Sequence, residues 1–244
     1  MALEKGRVCV TGSGGYLASW VVKLLPSNDY FVHGTVREPI RVRDEKNAHL
    51  YKLEKASENL KLFKAELLDY NSISSAIIGC TGVFHVASPV EVVEPAVKGT
   101  LNVLKACNEA KVKRVVVVSS RAAVVFNHRW PKGQMKDETC WSDKEYCRTA
   151  MFTVNASSHT LINFLKEGYK SVENKLWLTV DVRDVAEALL LSYKKPEAEG
   201  RYISMAHTIE SRDLLDRGRR ANHGEFREAA DARVVLQAIG GNSH

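Results

Sequence analysis

Between Val8 and Leu25 the chain reads VCVTGSGGYLASWVVKLL, a short apolar run that breaks into three glycines and restarts as an amphipathic segment. Val8, Cys9 and Val10 read as a strand, Gly12 to Gly15 as a tight turn, and Leu17, Val21, Leu24 and Leu25 as one side of a helix. Gly12 can take backbone angles that a side chain disfavours. Gly15 carries nothing that would block an anion lying over the new helix's free N–H groups. Ala18, at the third small position, lets the helix pack close to its strand. The spacing is Gly-x-x-Gly-x-x-Ala with an additional Gly14, so it departs from the plain G-x-G-x-x-G form. A glycine-rich turn without a ligand has the same local pattern. The context favours a dinucleotide: a strand precedes, a helix follows, and a second strand ends in a candidate phosphate reader.

That second strand is Phe31 to Val36, with Arg37 directly after it. An acidic residue at this point accepts from a ribose 2′-hydroxyl, whereas an arginine suits a 2′-phosphate, so Arg37 predicts NADP over NAD. Lys46 offers a second positive charge there; it reads equally well as a solvated charge at a helix start. Residues 47 to 58 have a polar helical pattern, and Leu62, Phe63 and Ala65 form a third strand running into Glu66, Leu67, Leu68 and Asp69. A helix over Ser72 to Ile78 leads to a fourth strand, Gly82 to Val86, followed by Ala87. Strands alternating with helices at this spacing predict a parallel doubly wound sheet. Ligands of such sheets lie beyond the carboxyl ends of the strands, where Gly12, Arg37, Glu66 and Ala87 fall.

Pro95 suits the first turn of the next helix, which carries Val97, Leu101 and Leu104 on one side. The four valines Val115 to Val118 have the continuous apolar character of a strand buried on both faces. Ser119 and Ser120 end it on the ligand side. A hydroxyl there either hydrogen-bonds a substrate carbonyl or satisfies the loop backbone, and its position favours the substrate.

A chain of 244 residues supports one sizeable core with an appendage. It has no run of eighteen apolar residues and its first residues resemble no signal or transit peptide, so we expect a cytoplasmic protein without a membrane partner. The formal charge of +6, from 35 basic and 29 acidic side chains, is dispersed. With no basic block interleaved with aromatics, a nucleic-acid partner is not expected. The five cysteines include no Cys-x-x-Cys pair, which argues against a zinc site or a disulfide framework. Three are expected to pack as small apolar residues. Cys140 and Cys147 share a polar segment, and a reversible disulfide between them is the alternative, against the rarity of cytosolic disulfides.

The blocks VCVTGSGGYLASWVVKLL, HGTVREP, KNAHL, LLDY, GVFHVASPV, EPAVKGTLNVLKAC, KRVVVVSS, CWSDKEYC and VDVRDVAEALLLSY together resemble the plant cinnamoyl-CoA reductase and dihydroflavonol reductase group of extended short-chain dehydrogenases, within the NAD-dependent epimerase/dehydratase superfamily. The likeness runs over most of residues 5 to 216. It implies a Rossmann-type α/β fold and reduction by NADPH of a small-molecule carbonyl, whether hydroxycinnamoyl-CoA thioester, aldehyde or ketone. By the same resemblance the cofactor contacts are Gly12, Gly15, Tyr16, Arg37, Lys46, Glu66, Leu67 and Ala87. The catalytic serine is Ser120, with Ser119 the alternative.

The group also uses a Tyr-x-x-x-Lys pair on the helix after that serine; the lysine lowers the tyrosine pKa and holds the ribose, and the tyrosine protonates the developing alkoxide. In this chain the pair is missing. Of the eight tyrosines only Tyr51 has a lysine four positions on, Lys55, and it lies upstream of the serine; Tyr146 is followed at that spacing by Ala150. After Arg148 the sequence passes to TVNASS, which resembles a much later block of the group. A second, shorter gap falls between Val90 and Glu91. A parallel crossover takes about a dozen residues, so the Val115 to Val118 strand is expected to lose a neighbour and expose an edge. The next strand is expected at Leu176 to Val180. A helix capped by Asp181 and carrying Val182, Val185, Ala186, Leu189 and Tyr193 then leads to a last strand at Gly200 to Ile203.

Beyond Asp216 the resemblance stops. We expect an NADP-binding Rossmann domain with a reduced substrate region over 1–216 and a divergent, disordered tail over 217–244. The sequence thus supports a truncated NADPH-dependent oxidoreductase impaired by loss of its tyrosine and lysine. The alternative is a non-catalytic NADP-binding or partner-binding protein, including a splice or gene-model variant.

Overall fold

In a computed structural model the described residues are 6–38, 45–88, 93–150, 176–213 and 234–240. Five parallel strands carry the first half: β1 (Arg7–Thr11), β2 (Phe31–Val36), β3 (Leu60–Lys64), β4 (Gly82–His85) and β5 (Arg114–Val118). Their order in the sheet is β3-β2-β1-β4-β5, the first five strands of the 3-2-1-4-5-6 order of a Rossmann fold. Val10 on central β1 stands opposite Gly34 of β2 and Phe84 of β4, so the carboxyl ends of all three strands finish together. The expected α/β doubly wound sheet is present.

Helices cover both faces because strand side chains alternate. On one face Cys9, Val83 and Val115 pack against Ile73, Ala76 and Ile77 of α4 (Tyr70–Ile77) and Val103, Ala106 and Cys107 of α5 (Val93–Glu109). Cys9, Cys107 and Cys80, which is buried in the same cluster, are therefore apolar filler, as expected for three of the cysteines. On the other face, Phe84 meets the Tyr193 ring at 5.2 Å, and Tyr30 meets it edge-on at 5.8 Å. Tyr193 belongs to α8 (Val182–Lys194). A Cβ on Gly82 would lie 2.2 Å from this ring, so only glycine lets the tyrosine sit against the sheet. Lys194 Nζ donates to Asn28 Oδ1 at 2.6 Å, linking α8 to the C-cap of α1 (Tyr16–Ser27).

Several boundaries differ from the sequence expectation. The polar helix foreseen over 47–58 is two pieces, α2 (Glu45–Tyr51) and α3 (Ala56–Asn59), because Lys55 adopts a left-handed φ of 59° between them. Val117 and Val118 are only half-buried, so β5 is not sealed along its whole length. Nor is β5 an edge: β9 (Val234–Gly240), from the segment expected to be disordered, pairs with it antiparallel, with Val116 opposite Ala238. Backbone pairing needs extended conformation more than particular side chains, so an unrelated segment can take the place of a missing parallel strand. The strand β7 (Gly200–Ser204) follows β9 in the sheet, and it is not the last strand of the chain. The strand at β6 (Leu176–Thr179) does not join the main sheet; it pairs antiparallel with β8 (His207–Glu210). The expected gap at Val90 and the TVNASS block lie outside the described residues.

The chain divides into two compact units, residues 1–119 with 186–202 and 236–244, and residues 120–185 with 203–235. In the second, α6 (Ala122–Val125) and α7 (Lys144–Ala150) flank a polar loop. Val124 and Cys140 form a small buried centre with Trp130 and Ile203. All five cysteines are free, and Cys140 is buried there with its Sγ donating to the Val124 carbonyl at 3.3 Å. Asp181 caps α8 as expected, its Oδ1 accepting from the Arg183 N–H at 2.8 Å.

Arg114, at the start of β5, closes the other end of α8. Its guanidinium donates to the carbonyls of Ser192 at 2.9 Å, Pro196 at 2.8 Å, Ala198 at 3.1 Å and also Lys195. A helix leaves its last carbonyls without partners and carries partial negative charge there, so one cation serves both needs. Arg114→Ala should lower unfolding stability by about 2 to 3 kcal/mol in urea denaturation, with Arg114→Lys recovering only part of it.

Candidate functional site

The site is built at the carboxyl end of β1. Gly12 has a φ of 69°, a left-handed conformation suited to glycine, and the Gly15 N–H closes the turn on the Gly12 carbonyl at 2.8 Å. A Cβ on Gly12 would stand 2.8 Å from the Ala87 Cβ, and one on Gly15 would stand 3.2 Å from the Gly12 oxygen. Close approach therefore requires glycine at position 12 and leaves little room for a side chain at position 15. Gly15 is the N-cap of α1 in extended conformation, with no capping side chain and no acidic residue in the first turn. The first N–H groups of a helix lack intrahelical partners and carry about half a positive charge. With nothing acidic to neutralise them, they suit a pyrophosphate. Ala18, 1% exposed, lies against the fold as expected.

The other residues foreseen as cofactor contacts lie at the following places in the fold. Tyr16 begins α1 and is half exposed. Arg37 follows β2 and is exposed. Lys46 is the second residue of α2. Glu66 and Leu67 follow β3. The Glu66 N–H donates to Ser72 Oγ at 3.1 Å, and the Leu67 carbonyl accepts from Asn102 Nδ2 at 2.8 Å. Gly99 of α5 leaves room for Leu67, since a Cβ there would lie 2.8 Å from the leucine's own Cβ. Ala87 follows β4 and packs on Gly12.

Ser119 and Ser120 follow β5 and are exposed. Ser120 Oγ accepts from the Ala122 N–H at 3.2 Å, which leaves its own proton to donate. Ser120 thus satisfies loop backbone and can also serve a substrate oxygen. Tyr51 and Lys55 do not form a catalytic pair: Tyr51 ends α2, Lys55 lies in a left-handed turn, and its Nζ is 3.3 Å from Asp29 Oδ1. Tyr146, on α7, has its ring 4.1 Å from that of His128.

Reading the sequence missed the polar groups that hold the turn in place. Thr35 of β2 accepts the Gly12 N–H on Oγ1 at 3.0 Å and the Ser13 N–H on its carbonyl at 2.8 Å. Ser13, fully buried, donates to the Val10 carbonyl at 3.0 Å. Asn47 is 5% exposed, and its Oδ1 would be 2.2 Å from a Cβ on Gly14, so Gly14 is also a contact glycine. Thr11, fully buried, accepts the N–H groups of Val86 at 3.1 Å and Ala87 at 3.0 Å, and its Oγ1 is 2.9 Å from His85 Nδ1. Apart from Ser13 and Val10 these partners lie far apart in sequence, and the local signal was a hydroxyl residue at or near the end of an apolar run.

Burial of His85 lowers its pKa from 6.5 to about 4, because the cationic ring would lose its solvation. The folded state keeps the ring neutral while the unfolded chain protonates it below 6.5. Between these values the unfolded state binds more protons, so stability rises with pH across the window and the contribution is complete above about pH 6.5. We expect the wild-type unfolding free energy to fall by up to about 3 kcal/mol more than that of His85→Asn between about pH 7 and pH 4, measured by urea unfolding.

Comparison with known proteins places this geometry in a family. Residues 8–146 match the model of the NAD dependent epimerase/dehydratase family. Cinnamoyl-CoA reductase 1 of Petunia hybrida is 40% identical over 253 aligned positions, covering 86% of this chain and 75% of that protein. The alignment is longer than the 244-residue chain, so the relative carries residues inside the matched span that this chain lacks. The crystal structure of vestitone reductase from alfalfa is similar at 36% identity and a TM-score of 0.51, over 78% of this chain but only 52% of that one. Gre2 from Candida albicans, 22% identical, shares the fold at a TM-score of 0.67 over 86% of this chain and 80% of its own. Among the described residues no helix is long and apolar enough to cross a membrane. With its glycine turn, parallel sheet order and these matches, the chain belongs to the NAD dependent epimerase/dehydratase family and, within it, to the cinnamoyl-CoA reductase-like group.

Proposed function

We propose that the chain is an NADPH-dependent carbonyl reductase of the cinnamoyl-CoA reductase type whose cofactor half is intact and whose proton-donating half is impaired. The observation that carries the reading is the uncapped N-terminus of α1 behind a left-handed Gly12, with an arginine at the end of β2. In this reading the α1 amides and the glycine turn hold the pyrophosphate, with Tyr16 beside them. Arg37 and Lys46 receive the 2′-phosphate, and Glu66, Leu67 and Ala87 border the cofactor at the ends of β3 and β4. When bound, NADPH supplies a hydride to the carbonyl carbon of a small-molecule thioester, aldehyde or ketone. Ser120, its hydroxyl proton unused by the loop, donates to the carbonyl oxygen; Ser119 is the alternative.

Proton delivery is the weak step. A positioned general acid contributes about 10²- to 10⁴-fold, and no Tyr-x-x-x-Lys pair follows Ser120 in this sequence. That observation also favours a second reading, a protein that binds NADP without turning it over.

Titration of the purified chain by protein fluorescence separates the readings. NADPH should bind saturably and more tightly than NADH, and Arg37→Ala should weaken NADPH by roughly tenfold while changing NADH little. Turnover with a cinnamoyl-CoA or an aldehyde should fall at least about 100-fold below an intact relative. Binding with no turnover at all supports the second reading, and absence of NADPH binding defeats both.

A further inference from the structure

His85 sits at the end of β4, 3% exposed, between two hydrogen-bond partners whose roles are forced from outside. On one side Thr11 Oγ1 already accepts the N–H groups of Val86 and Ala87, so its proton has to go to His85 Nδ1 at 2.9 Å. On the other side Thr100 Oγ1 of α5 donates to the Ala96 carbonyl at 2.9 Å, so it accepts from His85 Nε2 at 3.2 Å. Backbone N–H groups at one end and a backbone carbonyl at the other therefore leave one consistent arrangement. The ring is neutral and protonated on Nε2.

The line of bonds ends at the cradle. Val86 and Ala87 are held by the same hydroxyl that His85 orients, and Ala87 is the residue against which Gly12 packs too closely for any Cβ. Gly12 is fixed in turn by the Thr35 hydroxyl and by the Gly15 N–H. A change at His85 thus reaches the glycine turn through the Thr11 hydroxyl and the contact of Ala87 with Gly12.

We propose that His85 is a positioning residue for the dinucleotide site: through the Thr11 hydroxyl it sets where Ala87 lies against Gly12, and so the shape of the turn that receives a pyrophosphate. The proposal rests on the NADP-binding reading given above. Without an acceptor at Nδ1, the Thr11 proton has no partner in the core. The hydroxyl then rotates away from one of its two amides, and Ala87 is free to shift.

The test is an NADPH titration of the full chain carrying His85→Leu, His85→Asn, Thr11→Val or Thr11→Ser, on protein with the far-UV circular dichroism of the wild type. The carbonyl oxygen of asparagine falls near the place of Nδ1 and restores the acceptor. His85→Leu and Thr11→Val should weaken NADPH by about tenfold, whereas His85→Asn and Thr11→Ser should stay within about threefold of wild type. A role in packing alone would lower the melting temperature of these variants without this pattern of rescue. Should His85→Leu fail to fold, ¹⁵N NMR of the wild-type ring decides, and it must show the Nε2–H tautomer at neutral pH. A proton on Nδ1, or a folded His85→Leu that binds NADPH as wild type does, overturns the proposal. If the wild type itself does not bind NADPH, the cofactor reading fails first and takes this role with it.

Discussion

The Thr11 hydroxyl joins the end of β1 to the end of β4, and the site depends on that junction. It is one oxygen with two backbone amides and one imidazole around it, inside a region from which water is excluded. In such a place each bond is stronger than in water, and each missing one costs more. The turn at Gly12, the close approach of Ala87 and the exposed amides of α1 all follow from holding the two strand ends together. An anion site made of backbone needs this kind of support, since its donors have no side-chain freedom with which to adapt.

Distant parts of the sheet solve the same problem of unpartnered backbone differently. At α8 a single guanidinium, Arg114, collects a carbonyl of the last turn, Ser192, and those of Pro196 and Ala198 just beyond it. At β5 an extended segment from near the end of the chain, Val234–Gly240, supplies an antiparallel ladder. The first solution needs one particular side chain in one place. The second needs only an extended strand, and so a segment distant in sequence covers the β5 edge.

Cofactor binding and proton transfer are built from different materials, and that is why they can part company. The groups proposed to bind the cofactor are helix amides, glycines and a few charges set by β1 to β4, all within the first 120 residues. The tyrosine and lysine that the family resemblance leads us to expect for proton transfer would be two side chains on one helix later in the chain. Tyr51 and Lys55 have the right spacing in sequence but not in space, because a left-handed residue separates α2 from α3. Spacing predicts a shared helix face only where the helix is continuous.

From its sequence alone this chain reveals the strand, glycine turn and helix at its start, the parallel alternation that follows, an arginine, Arg37, directly after the second strand, and the absence of a Tyr-x-x-x-Lys pair after Ser120. Each is a local pattern: hydrophobic period, backbone freedom of glycine, or residue type at a strand end. What only the tertiary structure decided is which groups meet. Thr11 and His85 are 74 residues apart, Gly12 and Thr35 are 23 apart, and Arg114 reaches carbonyls about 80 residues on. The antiparallel seat of β9 and the separate β6 and β8 pair belong here too. The physical reason is that burial of a polar group is set by what the fold brings against it, and no period or composition in the chain records a partner that distant.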